Sequence, residues 1–403
     1  MNVNNTKRTI VTLPGDGIGR TVLDSAIRVL NAAGFSCDYV EADIGWEFWR
    51  LEGDPLPQRT LDLLTQHKIA LFGAITSKPK DEAFDELATE LKSPRLIYSS
   101  PIVGLRQYFG LDICLRPCRS YRGNPLNFVR RDPDGNLEEP AVDVAIFRQN
   151  TEGLYGGVEW SNPPGDVHDA FMTHPKFRQN FGETPIDELS ISTRIFTKTA
   201  TERILRAAFE HARKYGYKSV TVCEKPNVIR ETSGMMYKMA QEIQKTDFSE
   251  IELWNTNIDA QMMWLTKNPE SYGVIVAGNM FGDIVSDGFA GLIGGLGFAA
   301  SAQYNPDTGI GVFEPTHGSA PKYAGYETSI VNPIAMIEAA CMMLDFIDEQ
   351  KIAINIRKAV AELIEEGQVR TYDMARLPGT ADVIQKGAVS TAEMTDAIIS
   401  KLS

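Results

Sequence analysis

Apolar positions along the chain alternate between two periods. From Thr9 to Leu13 a β-branched run ends in Pro14-Gly15-Asp16-Gly17-Ile18-Gly19, and beyond it Val22, Leu23, Ala26, Val29 and Leu30 share one helical face. The pattern predicts strand, glycine loop, helix. A second strand over Cys37–Glu41, a helix through Leu61–Leu64 and a third strand over Ile69–Phe72 continue the alternation, which implies an α/β class with a parallel or mixed sheet. Further strands are expected over 141–147, 219–223 and 272–278. A helix over Thr199–Tyr215 would put Ile204, Leu205, Ala208 and His211 on one face, and another over Val331–Phe346 would be opened by Asn332-Pro333. Gly153–Thr193 breaks the rhythm, being rich in Gly, Pro, Asn, Asp and His. A structureless stretch of about 40 residues is unusual inside a compact domain, so an arm or lid is expected there.

Length and charge narrow the class. At 403 residues the chain can bury a large core without a disulfide or a structural metal. Its 53 acidic against 40 basic residues, a net charge of −13, oppose nonspecific binding to nucleic acid or to an anionic membrane. No apolar stretch approaches the ~20 residues of a membrane span. The five cysteines are scattered, odd in number and without a CxxC pair, which argues against a disulfide framework and a zinc site. The start MNVNNTKRTIVTLPG has no long apolar run, so no secretory signal is expected and the cytoplasm is the expected compartment.

Several residue sets carry chemistry. Gly15-x-Gly17-x-Gly19 is similar to a dinucleotide fingerprint, but its third glycine comes one residue early and Arg20 stands in the expected place; a tight strand-to-helix turn is the competing reading. Asp283 and Asp287 are four apart in NMFGDIVSDGFAG, one helical turn on one face. Like charges so placed repel unless a cation lies between them, and oxygen donors with water suit Mg²⁺ or Mn²⁺. Asp259 is a candidate third ligand. Arg106, Arg116 and Arg148, expected at or near strand ends, could together hold a polycarboxylate through bidentate pairing. Lys225 is either a base or a solvated surface residue, Tyr155 is ambiguous alone, and His317 in EPTHGSAP suits core packing or cofactor contact.

Taken in order, LPGDGIG, LRQYFGLDICLRP, FRQNTEGLYGGVEW, KPN, NMFGDIVSD and FEPTHGSAPKYAG resemble the β-decarboxylating dehydrogenases of the isocitrate and isopropylmalate dehydrogenase family over nearly the whole chain. The resemblance implies a large α/β domain over 1–111 and 294–403, a small α/β domain over 112–152 and 198–293, and a clasp arm over 153–197 through which two subunits of a homodimer embrace. It implies that Arg106, Arg116 and Arg148 bind the malate-like carboxylates of a small hydroxy-polycarboxylate. Asp283 and Asp287 would bind the metal with Asp259 of the partner subunit, Tyr155 and the partner subunit's Lys225 would move protons, and Asn227 would contact substrate and nicotinamide.

By the same resemblance the cofactor site comprises His317, Gly318, Ser319, Ala320, Lys322, Tyr323, Asn332, Tyr372 and Arg376. Relatives that use NAD⁺ commonly carry an acidic residue just after HGSAP. Here Lys322-Tyr323 stands there, and Tyr372-Asp373-Met374-Ala375-Arg376 resembles the Tyr-Asp-x-x-Arg element of bacterial NADP-dependent isocitrate dehydrogenases, so NADP is expected. For the substrate, Ser100 matches the serine that meets the distal carboxylate of isocitrate. Ile102 and Phe72 stand where an asparagine and a lysine are expected. Lys78, Lys80, Lys92 and Arg95 lie in a longer segment that could replace the charge. Isocitrate is the first expectation. Another 3-substituted malate of the phosphonomethylmalate, homoisocitrate or isopropylmalate type is the alternative, and a non-catalytic regulatory subunit is a third.

Overall fold

The computed structural model describes residues 7–93 and 96–403. Its strands are β1 (Thr9–Gly15), β2 (Asp38–Glu41), β3 (Ile69–Ala74), β4 (Ile113–Arg119), β5 (Arg130–Arg131), β6 (Leu137–Glu138), β7 (Asp143–Gln149), β8 (Glu159–Ser161), β9 (Ser190–Ser192), β10 (Ser219–Glu224), β11 (Glu252–Asn257), β12 (Val274–Ala277), β13 (Ala300–Asn305) and β14 (Ile310–Pro315). Ten of them form one sheet in the order β11-β10-β12-β7-β4-β13-β14-β3-β1-β2.

The outer parts of this sheet are parallel, as the alternating helices require, while β13 is antiparallel to both β14 and β4, and β4 is antiparallel to β7. The run β14-β3-β1-β2 therefore points opposite to β7-β12-β10-β11. One apolar cluster lies along both runs, from Ile10, Leu71 and Phe313 to Ile146 and Ile275, and on the opposite face each run has a cluster of its own. In the shared cluster, helix Ile334–Phe346 is apolar nearly all round and buried accordingly, beneath helix Gly19–Ala32. On the opposite face, Ile204, Leu205, Ala208 and Phe209 of helix Lys198–Tyr215 pack on Val220, Val222, Val274 and Val276. His211 lies on this helix as expected, its ring between Phe147 and Tyr217.

The glycine loop follows the turn reading. Gly15 and Gly17 have φ of +65° and +56°, and a Cβ on Gly17 would lie 2.1 Å from the Ser319 carbonyl oxygen. Gly19 has no room either, since its Cβ would sit 2.3 Å from the Pro14 carbonyl oxygen. Backbone contact thus accounts for all three glycines without a phosphate.

Gly153–Thr193 carries regular structure that its composition did not display: β8 and β9 pair antiparallel, and helices Gly165–Met172 and Pro175–Phe181 fold on each other through Phe171 and Phe177, 5.3 Å between ring centroids. Helices of eight and seven residues are too short to display a period. One expectation needs correction. Arg106 is not at a strand end but in the last turn of helix Pro101–Phe109, which Pro101 initiates from its first turn. The five cysteines are free and buried, and among the described residues no helix is long and apolar enough to cross a membrane.

Candidate active site

The cleft is built on one face of the sheet's antiparallel centre. Directly opposed residues share a face: Arg148 opposes Cys114, Cys114 opposes Gln303, and Ser301 opposes Glu314. Arg116, two residues beyond Cys114, joins them. The other face, with Ile113, Leu115, Ala302, Tyr304 and Phe313, looks into a cavity of about 1030 Å³ that contains none of the expected site residues.

Helix Asn279–Leu292 lies over the polar face and brings Asp283 and Asp287 down on it. Nη1 of Arg116 donates to Asp283 Oδ1 at 3.0 Å, to Ser286 Oγ at 2.8 Å and to Asp287 Oδ1 at 3.5 Å. Arg148 Nη1 also donates to Asp283 Oδ1, while its Nε and Nη2 grip Asn279 Oδ1 at 3.0 and 2.7 Å. Gly282 permits this approach, because a Cβ there would stand 2.8 Å from the Arg148 side chain. Tyr155 completes the group: its hydroxyl donates to Asp283 Oδ2 at 3.4 Å and its ring sits 5.7 Å from the Arg148 guanidinium.

The third arginine arrives from its helix. Arg106 Nε donates to Gln303 Oε1 at 2.6 Å, which also accepts from Asn150 Nδ2 at 2.8 Å, and the Gln303 amide donates to Glu314. Burial, then repulsion from Arg116 and Arg106, lowers Arg148 to about 10, still cationic at neutral pH. Burial raises Glu314 and Asp287, and burial followed by the Asp283 charge raises Tyr155, which keeps its phenolic proton. Three guanidinium groups gathered in one cleft, facing Asp283, Asp287 and Glu314, are suited to a polyanion once a cation takes up the aspartates. Asp283 and Asp287, hard oxygen donors one turn apart, fit a divalent cation with water and substrate oxygens. Among the described residues no group of three or more Asp, Glu, His or Cys side chains is set to hold a metal.

Lys225 and Asp259 form a pair of their own. Lys225, just beyond β10, donates to Asp259 at the start of helix Ile258–Trp264. Asp259 is 69% exposed, and Asn227 beside it is exposed too. One chain thus holds the arginine cleft and, as a separate ion pair, an exposed Asp259 carboxylate with a half-buried Lys225.

The expected cofactor residues gather past β14. The Ser319 carbonyl accepts from Ile18 N at 2.9 Å and its hydroxyl meets Thr76 Oγ1 at 2.7 Å, so His317–Ala320 is clamped between the glycine loop and the end of β3. Burial depresses the His317 imidazole, and its Nε2 has no hydrogen-bond partner among the described residues. An orphaned buried nitrogen there suits a ligand contact. Lys322 Nζ lies 5.3 Å from the Tyr323 ring, the Tyr323 and Tyr372 rings are 5.5 Å apart, and Asn332 Nδ2 donates to Asp373 at 3.1 Å. Arg376 instead donates to the Pro125 carbonyl at 2.5 Å.

Near the remaining position, Phe72 is 1% exposed within the core of Leu13, Leu105 and Phe109, and Ile102 packs on the same cluster. Lys78 pairs with Glu86 over the Trp46 ring, and Lys92 donates to the Asp85 carbonyl. Arg95 lies outside the described residues. Ser100 caps the helix that carries Arg106 through its backbone carbonyl.

Gln303, Glu314, Asn150, Asn279 and Ser286 were not singled out from sequence. Gln303 and Glu314 carried one signal, polar residues spaced along otherwise apolar strands; the others are seen only once helix and sheet meet.

A family model described as isocitrate/isopropylmalate dehydrogenase matches residues 9–398. Protein DlpA of Legionella pneumophila is 37% identical over 97% of this chain, which spans 60% of that protein's length. The 3-isopropylmalate dehydrogenase of Methanothermobacter thermautotrophicus is 34% identical over 93% of this chain and 95% of its own, and the isocitrate/homoisocitrate dehydrogenase of Thermus thermophilus is 34% identical over 98% of each. Relatives named for different substrates stand at the same identity, so overall similarity does not single out the isocitrate enzymes. The crystal structure of isocitrate dehydrogenase from Methylococcus capsulatus matches with a TM-score of 0.78 at 33% identity, over 98% of this chain and 99% of that one. The chain belongs to the isocitrate/isopropylmalate dehydrogenase family, the β-decarboxylating dehydrogenases that act on 3-substituted malates.

Proposed function

We propose that this protein is an NADP-dependent, divalent-cation-dependent dehydrogenase that oxidatively decarboxylates a 3-substituted malate, with isocitrate the first substrate to test. The observation that carries the reading is the convergence of Arg116, Arg148 and Tyr155 on Asp283, with Asp287 one turn away. When bound, Mg²⁺ or Mn²⁺ supplies Lewis acidity to the C1 carboxylate and C2 hydroxyl, and NADP⁺ takes up the hydride.

The chain's own residues supply the rest. Asp283, Asp287 and the partner subunit's Asp259 hold the cation. Arg106, Arg116 and Arg148 bind and orient the carboxylates, and release of their mutual repulsion favours the dianion over a neutral analogue. The partner subunit's Lys225 removes the hydroxyl proton, and Tyr155, whose phenol stays protonated, returns a proton to C3 after CO₂ departs. The separate Lys225–Asp259 pair supports a homodimer in which each site takes groups from both subunits. The sheet's two opposed runs support a large domain of 1–111 and 294–403, a small domain of 112–152 and 198–293, and a clasp of 153–197. Lys322, Tyr323 and Tyr372 support NADP, since ammonium and phenol groups suit a 2′-phosphate.

A second reading, that the C3 group is not the acetate arm of isocitrate, is favoured by one observation. Phe72 and Ile102 belong to the core, and Lys78 and Lys92 are engaged within their own segment. A third carboxylate would then be poorly compensated on desolvation. Following NADPH formation with Mg²⁺ or Mn²⁺ across isocitrate, homoisocitrate, isopropylmalate, phosphonomethylmalate, tartrate and malate separates the readings. Preferred turnover of isocitrate upholds the first, preferred turnover of another member upholds the second, and silence on all of them leaves the regulatory-subunit reading.

A further inference from the structure

Glu224 is the last residue of β10, immediately before Lys225, and it is completely buried. A buried carboxylate needs several donors to offset its lost hydration, and this one collects them from three separate elements. Oε1 accepts from the Gly278 backbone N–H at 2.7 Å; Gly278 is the cap of the helix that carries Asp283 and Asp287. Oε2 accepts from Arg194 Nη2 at 2.8 Å and from Ser233 Oγ at 2.5 Å, the latter in the first turn of helix Thr232–Asp247. Arg194 is fixed in turn between the rings of Phe196 and Phe281, 4.7 and 4.9 Å from their centroids, at the root of the arm. The fit is close, for a Cβ on Gly278 would stand 2.6 Å from Glu224 Oε1.

The carboxylate thus joins the strand end that presents Lys225 to the helix end that presents Asp283, and the root of the arm to both. We propose that Glu224 is a positioning residue shared by the two active sites of the dimer, setting Asp283 and Asp287 in its own subunit's site and Lys225 in the other. This rests on the shared-site reading above.

Mixed dimers isolate the two roles. Dimers of one Asp283→Asn subunit and one Lys225→Ala subunit, purified by two affinity tags, contain one composite site with intact Asp283 and Lys225. Glu224→Gln placed in the Lys225→Ala subunit stands behind the live site's Asp283. There it is expected to raise the Mn²⁺ dissociation constant, read from the free-ion paramagnetic resonance signal, at least fivefold. Placed in the Asp283→Asn subunit it stands behind the live site's Lys225, and is expected to lower kcat at least fivefold while the Mn²⁺ constant stays within twofold. Ser233→Ala, which removes one donor and little volume, should reproduce the same split at smaller amplitude if Glu224→Gln folds poorly. Equal effects from both placements, or none, in otherwise active mixed dimers would overturn the positioning role alone. Mixed dimers that are silent before Glu224 is changed would overturn the shared site, and the proposal with it.

Discussion

The arginine cleft and the Lys225–Asp259 pair are built from the same kinds of groups in opposite surroundings. Arg148 and Arg116 are 3% and 8% exposed, whereas Asp259 is 69% exposed and its carboxyl is held low first by the Lys225 ammonium and then by backbone N–H groups at the start of its helix. In the cleft, Coulomb energy is concentrated by burial; at the pair it is partly screened from the Asp259 side, which water reaches. The difference teaches how a shared site is assembled. The half that must discriminate an anion is desolvated in advance, and in the proposed dimer the half that would serve the other subunit keeps its carboxylate in water.

The largest effect is expected where the cleft loses its central carboxylate. Asp283→Asn should lower turnover roughly a thousandfold, beyond the ~10–100-fold cost of losing an outer-shell metal partner, while thermal unfolding moves little because no core volume is lost. Near-normal turnover would remove the cleft from the chemistry. Next comes the separation itself. Lys225→Ala and Arg116→Ala homodimers should each be inactive, and subunit exchange between them should restore roughly a quarter of wild-type activity, since half the dimers then carry one intact site. Full activity in an isolated monomer would end the idea of two halves.

A smaller effect is expected at the cofactor residues. Lys322→Ala should lower kcat/KM for NADP⁺ about tenfold or more, the scale of one charged hydrogen bond, and leave kcat/KM for NAD⁺ nearly unchanged. A wild-type preference for NAD⁺ would refute the NADP assignment.

The smallest change concerns stability far from the cleft. Burial first, then Lys214 and Arg119 against a weaker opposing pull from Asp143, depresses His211 to about 4. The unfolded chain takes up its proton below about 6.5, so the folded state loses stability as pH falls from there toward 4, by up to about 3 kcal/mol at 1.36 kcal/mol per unit. His211→Phe, which keeps the ring among Phe147 and Tyr217, should flatten that loss in pH-dependent unfolding without altering turnover at pH 7.5. An unchanged acid slope would show that other groups govern it.

Much of this was legible in the residues. β1 and β10 announce themselves as β-branched runs and β3 as a short apolar one, and the one-turn spacing of Asp283 and Asp287 places them on a shared face before any coordinates. The glycine loop's tight contacts with Ala74, Ser319 and Pro14 fit the turn reading that the third glycine's early position left open. What sequence could not supply was the pairing of strands far apart in the chain. Arg148 and Gln303 reach one face only because β4 pairs antiparallel with both β7 and β13, a register fixed by tertiary contacts. Glu224 escaped for a similar reason, since its partners are spread from Arg194 to Gly278. The arm's helices escaped because they are shorter than the window in which a period can be read.

The central place of β14 has a consequence for how the protein is made. β3 ends at Ala74 and waits for β14, which begins at Ile310, to cover its open edge. At the ~5–20 residues per second of translation, that interval lasts roughly ten to fifty seconds. Throughout it, the nascent chain displays an unpaired, fully apolar strand edge to everything near the ribosome, the kind of surface on which aggregation begins and chaperones act. The pairing of β3 with so distant a strand thus commits the protein to late closure during its own synthesis, and faster translation of the middle of the chain should raise its soluble yield.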